Sequence, residues 1–248
     1  MHRFYIAPEN WHPDALVLTG SEAHHCATVL RLETADKVVL FDGRGSEITA
    51  EIVASDSTEI HLRKLHDAQT PQLRCRITLG QAIPKGKNMD LIVQKAVEIG
   101  AAEIAPILSD RTVVRLDEES AASKQAKWQT VAIEAAKQCG QNWLPQVRTP
   151  QTLAQFFSNH RGFDLQLIGS LQSDAVHLKR ILAQFSTEHG DRPSNVLMLV
   201  GPEGDFTPAE LSLARSQGCR PITLGPIVLR VETASIYCLS ILSYELLV

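Results

Sequence analysis

Apolar residues in the first seventy positions come in short runs at close spacing. Phe4-Tyr5-Ile6, Ala15-Leu16-Val17-Leu18, Lys37–Phe41, Glu47–Val53 and Glu59–Leu65 each read as a short β-strand. The turn signal Asp42-Gly43-Arg44-Gly45 closes the third of them. Ahead of that strand, Ser21 reads as the N-cap of a helix carrying His24, His25, Val29, Leu30 and Arg31. Several short strands with turn residues between them predict a small β-barrel over residues 1–70. The polar stretch His66–Gln72, with Pro71 inside it, reads as a linker.

From Cys75 the rhythm changes to strands alternating with longer helices. The strands read are Arg76–Ala82, Glu103–Leu108, Asp164–Ile168, Val196–Val200 and Pro221–Leu224. The helices between them are roughly Asn88–Ile99, Ser123–Cys139, Asp174–Phe185 and Thr207–Gln217, with a last one at Thr233–Leu247. This alternation predicts an α/β domain over residues 73–248, a mostly parallel sheet covered by helices on both faces. The last helix is apolar nearly all round, through Ile236, Tyr237, Leu239, Ile241, Leu242, Tyr244, Leu246 and Leu247. Such a helix is either buried on all sides or packed against a partner chain.

Composition narrows the class. A chain of 248 residues has room for a small domain joined to a medium one, each with its own core. No apolar run has spanning length, and Met1–Ile6 lacks the apolar stretch of a secretory signal, so the expectation is a cytoplasmic protein without a membrane span. The five cysteines, Cys26, Cys75, Cys139, Cys219 and Cys238, are odd in number and form no C-x-x-C pair, which predicts reduced, mostly buried thiols. Nine histidines form no H-E-x-x-H arrangement, so no metal site is expected. The formal charge of −4 argues against tight, non-specific binding of nucleic acid. Residues 1–70 hold six Lys or Arg against eleven Asp or Glu, and the remainder holds eighteen against seventeen. Any contact to RNA must therefore come from local patches.

The strongest chemical signal is the run from Leu197-Met198-Leu199-Val200 through Gly201-Pro202-Glu203-Gly204 to Thr207-Pro208-Ala209-Glu210. An apolar strand enters a glycine-flanked turn, then a helix start with Thr207 as N-cap, Pro208 at the first position and Glu210 completing a capping box. Gly218, just past the helix, suits a left-handed stop. In open α/β sheets ligands bind at the carboxyl ends of strands, where this loop must lie. A second run, Ile222-Thr223-Leu224-Gly225-Pro226-Ile227-Val228-Leu229-Arg230-Val231-Glu232-Thr233, repeats the pattern, with Thr233 or Glu232 able to cap the last helix. Arg230 is either a satisfied buried arginine or a partner for a ligand or phosphate. Two such loops side by side would make one pocket. A G-x-G-x-x-G fingerprint and a G-x-x-x-x-G-K-[ST] loop are both absent, which disfavours a dinucleotide-binding domain and a P-loop NTPase.

The pair Gly201-Pro202-Glu203-Gly204 and Leu224-Gly225-Pro226…Leu229-Arg230-Val231-Glu232-Thr233-Ala234 resembles the SPOUT class of methyltransferases. More closely, it is similar to the bacterial 16S ribosomal RNA (uracil-N3)-methyltransferase family. The segment Gln81-Ala82-Ile83-Pro84-Lys85-Gly86-Lys87-Asn88-Met89-Asp90, continuing to Gln94-Lys95-Ala96-Val97-Glu98-Ile99-Gly100-Ala101, resembles it too. So do Pro106, Ser109, Arg111, the run Glu134–Gly140, Arg3-Phe4-Tyr5 and His24-His25…Val29-Leu30-Arg31. The resemblance spans nearly the whole chain in order.

It implies a PUA-like RNA-binding barrel followed by a SPOUT domain with a C-terminal trefoil knot, a homodimer formed through that domain, and 16S rRNA or the small ribosomal subunit as partner. S-adenosylmethionine would be held by Leu199, Val200, Gly201, Pro202, Glu203, Gly204, Leu224, Gly225, Pro226, Leu229, Arg230, Thr233 and Ala234. The implied catalytic set is Arg230, then Arg111, as the cation near the uracil oxygens, with Glu203 or Glu232 as proton acceptor. Arg3, His24, Arg31, Lys85, Lys87 and Arg111 are the expected RNA contacts. Three positions depart from the family pattern: Asp205 stands where a glycine is usual, Val231 where a threonine is, and Gln141 where an arginine is common. The competing readings are a SPOUT enzyme with another target, a ribosome-assembly protein without catalysis, and a nucleotide-binding metabolic enzyme.

Overall fold

A computed structural model describes residues 1–56, 58–112 and 116–247. The chain forms two compact units, Met1–Gln72 with Ile133–Leu144, and Leu73–Ala132 with Pro145–Val248.

The first unit is a curled five-stranded sheet. Its strands are β1 (His2–Tyr5), β2 (Leu16–Thr19), β3 (Lys37–Phe41), β4 (Ser46–Ser55) and β5 (Glu59–Gln69), in the order β1-β3-β4-β5-β2. β1 pairs parallel with β3, and the other pairs are antiparallel. Alternate residues point inward, as Ile48, Ala50 and Ile52 of β4 do, and meet Phe4, Leu18 and Leu40 in one core. β5 runs on to Gln69, so His66–Gln69, the larger part of the expected linker, is strand; its polar side chains follow from a solvent-facing sheet and not from a loop. Helix α1 (Gly20–His24) starts directly from β2 with Thr19 at the cap position, which leaves Ser21 inside the first turn. It continues as a π-helical turn over His25–Val29. The segment Ile133–Leu144 closes this unit. Asn142 donates to Thr70 Oγ1 (2.8 Å) and Glu47 (3.0 Å), Trp143 Nε1 donates to Thr70 O (2.9 Å), and the buried Lys137 pairs with Glu22 (2.9 Å).

The second unit is built on β6 (Arg76–Ala82), β7 (Glu103–Leu108), β8 (Gln146–Val147), β9 (Gln151–Thr152), β10 (Leu165–Gly169), β11 (Val176–His177), β12 (Asn195–Val200) and β13 (Arg220–Thr223). The order is β11-β13-β10-β12-β6-β7-β8, with β9 also pairing β7, and every described pairing is parallel. Val196–Val200 is buried throughout, the continuous apolar run of a strand covered on both faces. The helices are α2 (Asn88–Ile99), α3 (Glu118–Cys139), α4 (Leu153–Asn159), α5 (Leu178–His189), α6 (Pro208–Ser216) and α7 (Val231–Leu246).

β6, β7 and α2 have the bounds that the sequence predicts. α5 begins four residues later than expected, because Asp174 lies in a loop and His177 caps the helix. α3 begins at Glu118, five residues early, and α4 was not foreseen although a capping box of Thr152 and Gln155 marks its start. The capping box of Thr207 and Glu210 forms as read, and Gly218 takes φ +91° after α6. α7 starts with Arg230 at the cap position, ahead of both residues expected to cap it. It returns from β13 to pack on β6, β12 and α2, where Ser235 Oγ donates to the buried Gln81 Oε1. One side of α7 is buried; Tyr237 and Tyr244 on the other are 43% and 77% exposed.

Two predictions follow from this packing. Asp164 Oδ2 accepts from Ser194 Oγ (2.7 Å), Ser194 N (2.8 Å) and Asn195 N (2.9 Å), tying the start of β10 to β12. The Ser194 hydroxyl, aided by the two backbone donors, holds this carboxyl below its ordinary value of 3.8. A depressed folded value means stability that is present above the unfolded value and lost as pH falls through the folded one. Urea titrations across the acid range should show Asp164→Asn less stable than the parent at neutral pH, with the gap closing below about pH 3.9. Four of the five cysteines are buried and Cys139 is exposed; burial pushes Cys75 up to about 11 and Cys219 and Cys238 to about 12. A thiol reagent at pH 8 should therefore modify Cys139 fast, and the other four only on unfolding.

Candidate functional site

Five neighbouring strands, β13, β10, β12, β6 and β7, run parallel, so their carboxyl ends open on one edge of the sheet. The loops leaving that edge contain Leu224–Arg230, Ser170–Gln172, Gly201–Thr207, Ile83–Lys87 and Ser109–Thr112. A cavity of about 680 Å³ lies among the first three, with Asn88 at the start of α2 also on its wall, a volume suited to a small organic ligand.

Of the residues expected to hold a cofactor, Val200, Gly201, Pro202, Glu203, Leu224, Gly225, Pro226, Leu229, Arg230 and Ala234 line this cavity. Leu199 is fully buried beneath it. Gly204 and Thr233 lie outside the lining, Gly204 as the carbonyl acceptor of Arg111 and Thr233 exposed on the first turn of α7. Gly169-Ser170-Leu171-Gln172 and Asn88 also line it and were missed. β10 sits between β12 and β13, so the loop after it must share their pocket. An apolar strand ending in Gly169-Ser170 is the same signal that marks the other two loops, and it was available in the sequence.

Two glycines and an aspartate shape the wall. A Cβ on Gly201 would lie 3.2 Å from Asp205 Oδ1 and 3.3 Å from the Phe206 ring and nitrogen, so the turn packs most tightly without one. Gly225 has φ +109° with open space where a Cβ would stand, which leaves its backbone approachable. Asp205 takes φ +60°, and its carboxylate accepts from Phe206 N (2.8 Å) while facing the pocket. The left-handed conformation is the physical reason a glycine suits this position, and aspartate is one of the few side chains that tolerate it.

The charged groups gather here. Arg230 is exposed at the mouth, not a buried satisfied arginine. Glu232 accepts from Asn88 Nδ2 (3.1 Å), and Glu203 accepts from Lys85 N (2.9 Å). Lys85 and Lys87 are exposed on either side of Gly86, and Arg111 donates to Gly204 O. Leu171, Ile227 and Val228 stand on the rim 67%, 74% and 73% exposed.

The remaining expected contacts belong to the first unit. His24 and Arg31 are exposed, Arg31 with φ +53°. Arg3 is engaged within the unit: it pairs with Glu47 (2.7 Å), donates to Asn142 and lies over the Phe41 ring at 5.1 Å. Burial works to push the Glu47 carboxyl up, but hydrogen bonds from Arg3 and Asn142 outweigh it and hold the group below its ordinary value. Among the described residues no group of three or more His, Cys, Asp or Glu could hold a metal ion, and no helix is long and apolar enough to cross a membrane.

The class to which this parallel sheet, its glycine-walled pocket and the leading curled β-sheet belong is that of the RNA methyltransferases. The family model for an RNA methyltransferase domain matches residues 71–243, and that for an RNA methyltransferase PUA domain matches residues 18–65. The Ribosomal RNA small subunit methyltransferase E of Synechocystis sp. is 31% identical, over 94% of this chain and 74% of its own. The enzyme of that name from Neisseria gonorrhoeae, solved bound to S-adenosyl methionine, is 31% identical with a TM-score of 0.86, over 99% of this chain and 98% of its own. A methyltransferase of Legionella pneumophila, solved with the bound cofactor SAM, is 32% identical with a TM-score of 0.87, over 98% and 97%. The chain belongs to the ribosomal RNA small subunit methyltransferase E family.

The glycine wall generates a test. Gly201→Ala should cost about 1–3 kcal/mol through overpacking against Phe206, read as a lower urea midpoint at unchanged slope. The same substitution at Gly86, which has open space but φ +72°, should cost about 1–2 kcal/mol through its left-handed backbone alone.

Proposed function

We propose that this chain transfers a methyl group from S-adenosylmethionine to N3 of a specific uridine in the 16S rRNA of the small ribosomal subunit. The observation that carries the reading is the single pocket walled by the Gly201–Asp205 and Leu224–Arg230 loops with Arg230 at its mouth. Family membership and the SAM-bound relatives support the cofactor and the RNA.

Bound S-adenosylmethionine supplies an electrophilic methyl group. The open side of Gly225 and the apolar walls from Val200, Leu224 and Leu229 fit its adenosyl and methionine parts, with Gly201, Pro202, Pro226 and Ala234 completing the cradle. Uracil N3 carries a proton and is used in pairing, so the base must be unstacked before it reaches the pocket. Arg230 then faces the uracil oxygens and stabilises the negative charge that develops as the proton leaves. Glu232, two residues away and oriented by Asn88, takes the proton; Glu203, held by Lys85 N, is the alternative acceptor. Lys85, Lys87 and Arg111 offer cations to RNA phosphates from the loops beside the pocket. Residues 1–70, closed by the segment 133–144, form the PUA-like RNA-gripping domain, with His24 and Arg31 as its contacts, and the rest of residues 73–248 forms the catalytic domain. Arg3 fits a bracing role better than a contact, because its guanidinium is engaged with Glu47 and Asn142.

In the same reading the chain threads a trefoil knot as α7 returns from β13 to β6, and two chains pair through the exposed Tyr237 and Tyr244 face of α7. The enzyme works in the cytoplasm, on rRNA or the assembled subunit.

Nucleoside mass spectrometry tests the reaction. Ribosomal RNA from a strain lacking the gene should lose 3-methyluridine from the small subunit, and the parent gene should restore it. Arg230→Ala should restore it at least 100-fold more slowly, the size of loss seen when one charge-stabilising donor is removed. Retention of 3-methyluridine in the deletion strain would remove the proposed target.

A further inference from the structure

Glu210 does more than close the capping box of α6. The residue is 7% exposed, and both its carboxylate oxygens are engaged. Oε2 accepts from Thr207 N (2.8 Å), as a box requires, and also from Thr207 Oγ1 (3.0 Å). The other partners come from the loop after β7: Ser109 Oγ donates to Oε2 (3.1 Å) and Asp110 N to Oε1 (3.1 Å). That same Ser109 hydroxyl accepts from Arg111 N (3.3 Å). Arg111 in turn donates through Nη1 to Gly204 O, and its Cδ lies 3.4 Å from where a Gly204 Cβ would stand. One buried carboxylate thus connects Ser109, Arg111 and the Gly201–Gly204 loop in a single chain of contacts.

Capping alone does not account for this arrangement. A box needs only Thr207, and a half-exposed carboxylate would serve it. Burying a charge is costly unless its acceptor positions are filled, and here two of the fillers are groups that set the path of the chain next to Arg111. The short turn is fixed again at its far side, where Thr112 N donates to Ser109 O (2.8 Å) and Ser109 N to Thr112 Oγ1 (3.2 Å).

We infer that Glu210 is a positioning residue for methyl transfer, holding Arg111 against the Gly201–Gly204 loop through Ser109 and Asp110. The inference rests on the proposed function, since it assigns Glu210 a part in that reaction. Without the carboxylate, Ser109 turns away, Arg111 loses its anchor, and the loop that walls the pocket is released on one side.

The test is a double-mutant cycle on the full chain, reading kcat and KM for methyl transfer to ribosomal RNA. Glu210→Gln and Arg111→Ala should each lower kcat by roughly 10- to 100-fold, the scale of an ångström-sized misplacement. The double variant should fall no more than about twofold below Arg111→Ala, because residues acting through one another are non-additive. Losses that multiply overturn the inference. A merely structural role would lower the unfolding midpoint and leave kcat of the folded protein unchanged. Ser109→Ala separates the two, because it cuts the link to the loop and leaves the Thr207–Glu210 box in place. It should reproduce the fall in kcat at a midpoint close to the parent's, with Ser109→Thr restoring the rate; a parental kcat in Ser109→Ala overturns the inference. A parent chain that transfers no methyl group to ribosomal RNA overturns the proposed function and this inference with it. An active parent with multiplying losses overturns the inference alone.

Discussion

The hydrogen-bonding direction of one sheet governs the rest of this structure. Because β13, β10, β12, β6 and β7 pair side by side and parallel, their five following loops leave on the same edge. Those loops are far apart in sequence, from Ile83 to Arg230, yet each is brought there by nothing more than the strand before it. Parallel pairing also demands cover on both faces, which is why Val196–Val200 of β12 is a continuous buried apolar run and why a helix follows nearly every strand. The chemistry can then be written on loops that pack through only a few residues, as Phe206 and Ile83 do.

What the loops need from the scaffold is restraint. It comes from buried polar groups that are satisfied by more than one element. Gln81, fully buried at the end of β6, accepts the hydroxyl of Ser235 and so sets the rotation of α7 beneath the pocket. Glu210 does the same for the loops after β7 and β12. Such groups are expensive to bury and tolerate few arrangements, so they specify position more sharply than apolar packing does. Leu171, Ile227 and Val228 on the pocket rim are, by contrast, 67%, 74% and 73% exposed.

Much of this was legible in the residues. β6, β7 and α2 could be bounded because apolar runs meet clear breakers, and the start of α6 because Thr207, Pro208 and Glu210 spell out its cap. Two of the three pocket loops announced themselves by glycine after an apolar strand. The third, Gly169–Gln172, has the same signal but gains meaning only from strand order, which periodicity does not carry. α7 was displaced because a plausible capping residue is not always the one used: Arg230 takes the position that Thr233 or Glu232 was expected to fill, and α5, expected from Asp174, starts only after His177. Arg3 illustrates a further limit. Its partners Glu47 and Asn142 are 44 and 139 residues away, so nothing local distinguishes a brace from a contact.

The segment Ile133–Leu144 has an implication for modularity. It belongs to the first unit by its contacts, although it lies in the middle of the second by sequence. Neither unit is therefore a contiguous piece of chain. Cutting at the linker after Gln72 would strip the β-sheet of Lys137, Asn142 and Trp143, the partners of Glu22, Glu47 and Thr70, and leave those polar groups without their buried counterparts. A gene fragment encoding only the N-terminal sheet would not be a portable module, so neither unit can be exchanged for that of another protein by a single recombination event at the linker.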